Sequence, residues 1–156
     1  MHNPLPTALV TLLLLASPAL AQNDVCLDAN GNVDQAATVG WQNFQAGASA
    51  DAMQQLVGTW YTEIPSPQTG QMAYRYQTLE PNGLFTMQTR VCDSTGACSD
   101  YPGHGFWAAQ GGQGGAFTTM TITSETQVTN FCGITQVMLQ GNMMQSAQGQ
   151  VWQRVQ

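Results

Sequence analysis

The sequence contains no lysine, and its only strongly basic side chains are Arg75, Arg90 and Arg154, against nine aspartates and glutamates. Charged residues make up 8% of the 156 residues, and the formal net charge is −6. Nucleic acids and anionic membranes are recognised by clustered basic side chains, which this composition cannot supply. We therefore expect no nucleic-acid partner and a surface whose polarity comes mainly from Gln, Thr, Ser and Asn.

Histidine is also scarce, since His2 and His104 are the only two. Ser-His-Asp and Cys-His arrangements need a histidine, and no serine stands in a Gly-x-Ser-x-Gly turn. An exposed loop position is the ordinary interpretation of His104, and the spacing does not favour haem ligation by His104 with a methionine. Paired carboxylates could be drawn from five acids, but a sequence alone brings no two together: Glu63, Glu80, Asp93, Asp100 and Glu125. We expect no enzyme activity, no catalytic residues and no cofactor.

Long apolar runs are missing except at the start, where residues 8–16 precede Pro18 and the Ala19-Leu20-Ala21 sequence. A short apolar core, a proline and an Ala-x-Ala site are typical of a secretory signal peptide, although a strongly basic n-region is lacking. Cleavage after Ala21 leaves 156 − 21 = 135 residues, a length typical of a single domain. We expect a secreted or periplasmic protein without a membrane span.

All four cysteines follow the predicted cleavage site: Cys26, Cys92, Cys98 and Cys132. An even number in an exported chain predicts two disulfides, for which three pairings exist. The turn-prone residues 93–97 favour a short loop stapled by Cys92 and Cys98, leaving Cys26 to tie the N-terminal segment to Cys132. A metal site is the rival interpretation, but Cys-x-x-Cys spacing is lacking and we expect none.

Two short helices and then eight strands are predicted after the signal peptide. The helical leader, residues 22–51, carries Trp41 and Phe44 on one apolar face, which we expect to cover an end or flank of the following domain. Period-two patterns then predict strands at 59–64, 72–80, 84–92, 105–110, 117–123, 134–139, 143–146 and 150–155. Eight short strands linked mostly by tight turns are typical of an up-and-down antiparallel barrel or a sandwich.

The strongest local signal is the hairpin around Glu80-Pro81-Asn82-Gly83, where Asn-Gly supplies the positive φ angles of the turn. In the strand before this turn, one face carries Met72, Tyr74, Tyr76 and Thr78. In the strand after it, one face carries Phe85, Met87, Thr89 and Val91. We expect both faces to point inward, and Arg75 and Gln77 to lie on the solvent-exposed face.

The sequence Leu56-Val57-Gly58-Thr59-Trp60 before a run of hairpins, with Trp152-Gln153-Arg154-Val155 at the other end of the run, resembles the lipocalins and the wider calycin group. Small bacterial lipocalin-like domains are the most similar. The resemblance covers residues 52–156 and implies an eight-stranded antiparallel up-and-down barrel. It also implies a structural signature of Gly58 and Trp60, with Arg154 packing over Trp60 at the closed end. The Thr-Asp-Tyr-type motif of many lipocalins is not evident, so we expect a smaller barrel than the animal carriers.

These inferences divide the chain into a signal peptide (1–21), a helical leader tied down by a disulfide (22–51) and a lipocalin-like barrel domain (52–156). The resemblance favours a monomeric binding protein for a small apolar or amphipathic molecule, in a barrel that is either hollow or filled. The candidate lining residues are apolar or phenolic: Tyr74, Tyr76, Phe85, Met87, Phe106, Met120 and Met138.

The alternative function belongs to a different class. A filled barrel could bind another protein through its loops, for example as an inhibitor of an exported hydrolase. The stapled loop between Cys92 and Cys98 would then form the contact surface together with Tyr101, Phe106 and Trp107, because a rigid loop loses less entropy on binding. An outward-pointing Trp107 would support this hypothesis.

Overall fold

The computed structural model describes residue 26 and residues 32–66, 69–125 and 128–155. The predicted signal peptide lies outside these residues. Two helices come first, α1 (Gln35–Ala46) and α2 (Ala50–Leu56). Eight strands follow: β1 (Gly58–Ser66), β2 (Gln71–Leu79), β3 (Leu84–Cys92), β4 (Cys98–Gly111), β5 (Ala116–Glu125), β6 (Val128–Gln140), β7 (Met143–Ser146) and β8 (Val151–Arg154). A short 3₁₀ turn, Gln113–Gly115, precedes β5.

The eight strands form a closed antiparallel barrel in which each strand pairs with its neighbours in sequence and β8 pairs back with β1. The predicted fold class, an eight-stranded antiparallel up-and-down barrel after a short helical leader, is confirmed. The strands from β3 to β6 are nine to fourteen residues long, whereas β7 and β8 have four residues each. The β7–β8 hairpin is therefore the shortest part of the wall.

Both helices begin at side-chain caps. The Asp34 carboxylate accepts a hydrogen bond from the amide of Ala37 at 3.0 Å, and the Ser49 hydroxyl accepts one from the amide of Ala52 at 3.3 Å. Such bonds satisfy amides that the first helical turn leaves without a partner. Asp34 and Ser49 are therefore the N-cap residues of α1 and α2.

The helices pack against different sides of the barrel wall. Helix α2 closes one end, where Ala52 and Leu56 are completely buried in the core inside the barrel. Helix α1 lies on the outer flank, and its Trp41 and Phe44 pack on outward-facing side chains of β4 and β5. We call this second cluster the outer core; its buried members are Cys26, Trp41, Phe44, Ala108, Met120 and Ile122. The predicted covering role of Trp41 and Phe44 is confirmed.

Two disulfides join the four cysteines in the favoured pairing. Cys26 is bonded to Cys132 of β6, across 106 residues of sequence, and holds the N-terminal segment beside the outer core. Cys92 is bonded to Cys98 and closes the β3–β4 hairpin. Within the described ranges, no helix is long and apolar enough to span a membrane.

Candidate functional site: the barrel interior

The hairpin between β2 and β3 determines which side chains of β2 point inward. Leu79 is paired directly with Phe85, and Arg75 is paired with Thr89. Residues directly opposite one another in an antiparallel pair lie on the same face of the sheet. Leu79, Phe85 and Thr89 are all buried, so the inward face of β2 is the one with Arg75.

The predicted orientation of β2 is therefore wrong. Ala73, Arg75, Gln77 and Leu79 face the interior, while Met72, Tyr74, Tyr76 and Thr78 face outward. Tyr76 is 48% exposed. The prediction for β3 is correct, because Phe85, Met87 and Thr89 are buried inside.

The half of the interior next to α2 is filled by large apolar side chains. Trp60 and Trp107 lie there, and each indole Nε1 donates to a main-chain carbonyl: Trp60 to Leu56 at 2.8 Å and Trp107 to Glu80 at 3.0 Å. We call this the packed half. Its buried strand residues are Trp60, Leu79, Phe85, Met87, Trp107, Ala109, Phe117, Val137, Met144 and Trp152.

The half farther from α2 presents hydrogen-bonding side chains to the interior, and we call it the polar half. Arg75 donates from Nε to the hydroxyl of Thr89 at 2.9 Å. Thr62 lies on β1, the other neighbour of β2. Its hydroxyl donates to the carbonyl of Val151 at 2.7 Å and accepts from Nε2 of Gln150 at 3.2 Å. Thr62 and Thr89 are buried, so these bonds satisfy hydroxyls that would otherwise destabilise the fold.

Several inward positions beside these polar groups carry small side chains, whereas Ile64, Val91 and Tyr101 are larger inward residues of the same half. Thr121 is paired with Gly133, and Thr119 with Thr135, across β5 and β6. These four residues share a face with the buried Phe117 and Val137 but remain partly accessible. Side chains that point into a barrel and are still reached by solvent line open space. The interior thus changes along the barrel axis from large apolar side chains to a mixture of hydrogen-bonding, small and larger ones.

The short β7–β8 hairpin sits beside this open space. Strand β6 pairs with β7 only over Val137–Gln140, and β1 pairs with β8 only at Trp60 and Tyr61. The hairpin is further fixed to its neighbours by the bond between Ala147 and Gln136, and by those that Thr62 makes. The wall is thus shortest at the level of the polar half, where a small molecule could reach the interior.

The structure does not bring the seven predicted lining residues together. Phe85 and Met87 point into the interior. Tyr74 and Tyr76 lie on the outer face, and Met138 is 41% exposed. Phe106 and Met120 also point outward, where the outer core under α1 covers them. The sequence pattern did not indicate Thr62, Arg75, Gln77 and Gln150 as interior residues, although the hairpin register would have revealed the two on β2.

The aromatic group proposed for protein contact is also divided. Trp107 is 2% exposed and belongs to the packed half, so it offers no contact surface. Phe106 packs against the outer core, Tyr101 is paired with Thr89 on the inward face, and residues 93–98 of the stapled loop are exposed. The loop alone keeps the geometry that a protein-binding role would require.

The expected closed-end signature is present. The guanidinium of Arg154 lies over the Trp60 ring, 4.5 Å from Cζ to the ring centroid. Burial lowers the pKa of Arg154 from its ordinary value, because the charged form is separated from water.

Comparisons with known protein families, with curated proteins and with solved structures found no match. The barrel itself is consistent with a lipocalin-like fold and compatible with a binding protein.

Proposed function

We propose that this chain is an exported, monomeric, lipocalin-like protein that holds a small amphipathic molecule in the polar half of its barrel and acts by binding, not catalysis. The observation that carries the proposal is the change of side-chain polarity along the interior. Large apolar residues fill the packed half, whereas Thr62, Arg75 and Thr89 form hydrogen bonds beyond it, beside the small and partly accessible Thr119, Thr121, Gly133 and Thr135.

The size of an eight-stranded barrel suits such a ligand. Its interior is just wide enough to be filled by side chains or to hold one small molecule. Here the packed half has the first arrangement, and it would form the floor of the site. Met87 lies at the upper edge of that floor, next to Thr89 on the inward face of β3, where it can contact an apolar part of the ligand. A methionine adapts well to varied apolar shapes.

The polar half supplies groups that can orient the other end of the ligand. Small-molecule sites are usually apolar with a few convergent polar groups. Thr62, Arg75 and Gln150 converge from β1, β2 and the β7–β8 turn, and Arg75 and Gln150 are partly accessible. An amphipathic molecule would place its polar end among these groups and its apolar end on the floor.

Export is supported by the two disulfides, which form and persist in oxidising compartments. The signal-peptide pattern of residues 1–21 points the same way.

Native mass spectrometry of the mature protein, purified from its exporting host, tests the proposal. We expect a mass that disappears on denaturation without reduction, which would be the bound molecule. A bare polypeptide under gentle conditions would contradict the carrier proposal for that host.

A pair of enlarging substitutions tests whether the polar half is open. Thr121→Phe adds a ring where we infer space, so it should leave stability nearly unchanged and displace the ligand. Ala109→Phe adds the same ring to the packed half, where overpacking should cost roughly 1–3 kcal/mol of unfolding free energy. If both substitutions destabilise the protein equally, the polar half is filled and the proposal fails.

A further inference from the structure

The outer face of β1–β4 carries a set of aromatic and planar polar side chains that the interior site does not use. Tyr61 is paired with Tyr76, and Tyr76 with Gln88. In the next row of the same face, Tyr74 is paired with Arg90 and Arg90 with Asp100. These residues line a groove of about 650 Å³ that ends at the Cys92–Cys98 disulfide. We call the surface the tyrosine platform.

The rings of the tyrosine platform are held in place by one another and by hydrogen bonds. The centroids of Tyr61 and Tyr76 are 4.8 Å apart, with 39° between the ring planes. The Tyr61 hydroxyl donates to the Glu63 carboxylate at 2.7 Å. Both side chains therefore have fewer conformations to lose when a ligand binds, which lowers the entropic cost of binding.

The charges of the platform are paired with each other. Arg90 donates from Nε and from a terminal nitrogen to the two carboxylate oxygens of Asp100, at 2.8 and 2.9 Å. The arginine holds the pKa of Asp100 below its ordinary value. Because Arg90 is engaged by two oxygens and the chain carries a formal net charge of −6, the groove offers little attraction to an anion.

The chemistry of the lining also separates ligand classes. The residues are three tyrosines, a glutamine, the ion pair and the disulfide, with no aliphatic side chain among the described residues that line the groove. A lipid or an apolar protein anchor would find no aliphatic pocket. A sugar has the complementary surface, because its C–H groups are attracted to the negative face of an aromatic ring while its hydroxyls pair with amide, carboxylate and guanidinium groups.

We propose that the tyrosine platform binds a neutral oligosaccharide, with sugar rings stacked on Tyr61, Tyr74 and Tyr76 and hydroxyls bonded to Gln88, Arg90 and Asp100. The four neighbouring strands that carry these residues span about 14 Å, which fits a short oligosaccharide rather than a single sugar. This site lies outside the barrel wall and is independent of the interior ligand. A protein that binds a small molecule in the barrel and an oligosaccharide on the tyrosine platform would place the small molecule at a glycan surface.

Isothermal titration calorimetry of the full mature protein with neutral hexasaccharides of glucose, xylose and N-acetylglucosamine tests the proposal, with an oligogalacturonate as the anionic comparison. We expect at least one neutral hexasaccharide to bind and the anionic one to bind more weakly. Tyr76→Ala should weaken binding about tenfold, whereas Tyr76→Phe should retain most of it because the ring remains. Met143→Ala, an exposed change on β7, is the matched control and should have no effect.

Three results would overturn the proposal. The first is that none of the neutral hexasaccharides binds. The second is that a hexasaccharide binds equally well to the wild type and to Tyr76→Ala. The third is that the oligogalacturonate binds more tightly than every neutral ligand, which would mean that the ion pair opens to receive an anion. Circular dichroism of each variant separates loss of binding from loss of fold.

Discussion

The guanidinium of Arg154 lies 4.5 Å from the ring centroid of Trp60, its direct cross-strand partner where β8 closes on β1. Arg154 also donates to the main-chain carbonyl of Gln55, and the Trp60 indole donates to that of Leu56. Both residues thus attach helix α2 to the barrel wall. This arrangement joins the first strand, the last strand and the helix that closes one end, so its loss should affect the whole fold.

Replacing Trp60 with alanine should lower the free energy of unfolding by about 3–5 kcal/mol. Trp60 is completely buried, and the substitution would leave a large cavity between α2 and the barrel wall. Urea denaturation of wild type and variant measures the change. Met143→Ala, on the exposed surface, should change the same quantity by no more than about 0.5 kcal/mol. An unchanged midpoint for Trp60→Ala would contradict the assigned role of Trp60.

Removing the Cys26–Cys132 disulfide should be more damaging than removing the Cys92–Cys98 disulfide. Loop entropy predicts losses of about 4.7 kcal/mol for the long loop and roughly 2–2.5 kcal/mol for the short one. The long bond also fixes α1 against the outer core, where Trp41 is buried. The double variants Cys26→Ala/Cys132→Ala and Cys92→Ala/Cys98→Ala, compared by urea denaturation without reductant, test the order. A larger loss in the second variant would contradict the structural account.

Much of the architecture could be predicted because its signals are local. The Pro-Asn-Gly turn fixed the hairpin of β2 and β3, and the bounds of β3 and β7 agree with the sequence pattern residue for residue. Strand β4 is longer than predicted, starting at Cys98 rather than Gly105, since Pro102 and two glycines obscured its period.

The inward face of β2 was mispredicted because hydrophobicity and register disagree there. Tyr74 and Tyr76 are more apolar than Arg75 and Gln77, so the pattern alone favours burying the tyrosines. Leu79 is paired with Phe85, however, and this pairing forces Arg75 into the interior. A four-residue turn between the strands already specifies that register. Combining turn length with alternation would have identified the polar half on this side of the barrel.

The outward placement of Phe106 and Met120 could not be predicted in the same way. Both faces of β4 are apolar at this level, because Trp107 and Ala109 fill the packed half while Phe106 and Ala108 meet the outer core. Period-two alternation identifies the face that points into the barrel only where the opposite face is exposed to solvent. Helix α1 covers this outer face, and nothing local in β4 specifies that contact.

Two glycine substitutions should change stability in opposite directions. Gly40 lies within α1 and an added Cβ would meet no atom within 4 Å, so Gly40→Ala should stabilise the protein by about 0.5–1 kcal/mol. In β4, the added Cβ of Gly105→Ala would overlap the carbonyl oxygen of Ile122, and strands β4 and β5 would have to separate. We expect a loss of at least about 1–3 kcal/mol there. Thermal unfolding of the two variants distinguishes them, and equal effects would refute the close approach at Gly105.

The contribution of Tyr61 in the tyrosine platform to stability should depend on pH. The hydrogen bond to Glu63, together with partial burial and the charge of Glu63, raises the pKa of Tyr61 from 10.0 to about 12. A phenol with a raised pKa stabilises the folded state while it is protonated. Its contribution is therefore complete below about pH 10 and is lost as the pH rises from 10 to about 12.

Spectrophotometric titration should reveal a late tyrosine ionisation near pH 12, which Tyr61→Phe removes. Glu63→Gln should move that ionisation to lower pH, because it eliminates the neighbouring negative charge. Glu80→Gln is the matched control: it deletes a carboxylate that instead accepts a bond from Asn82, so the late step should persist. A late ionisation that survives Tyr61→Phe would belong to another tyrosine and would contradict the assignment of the late step to Tyr61.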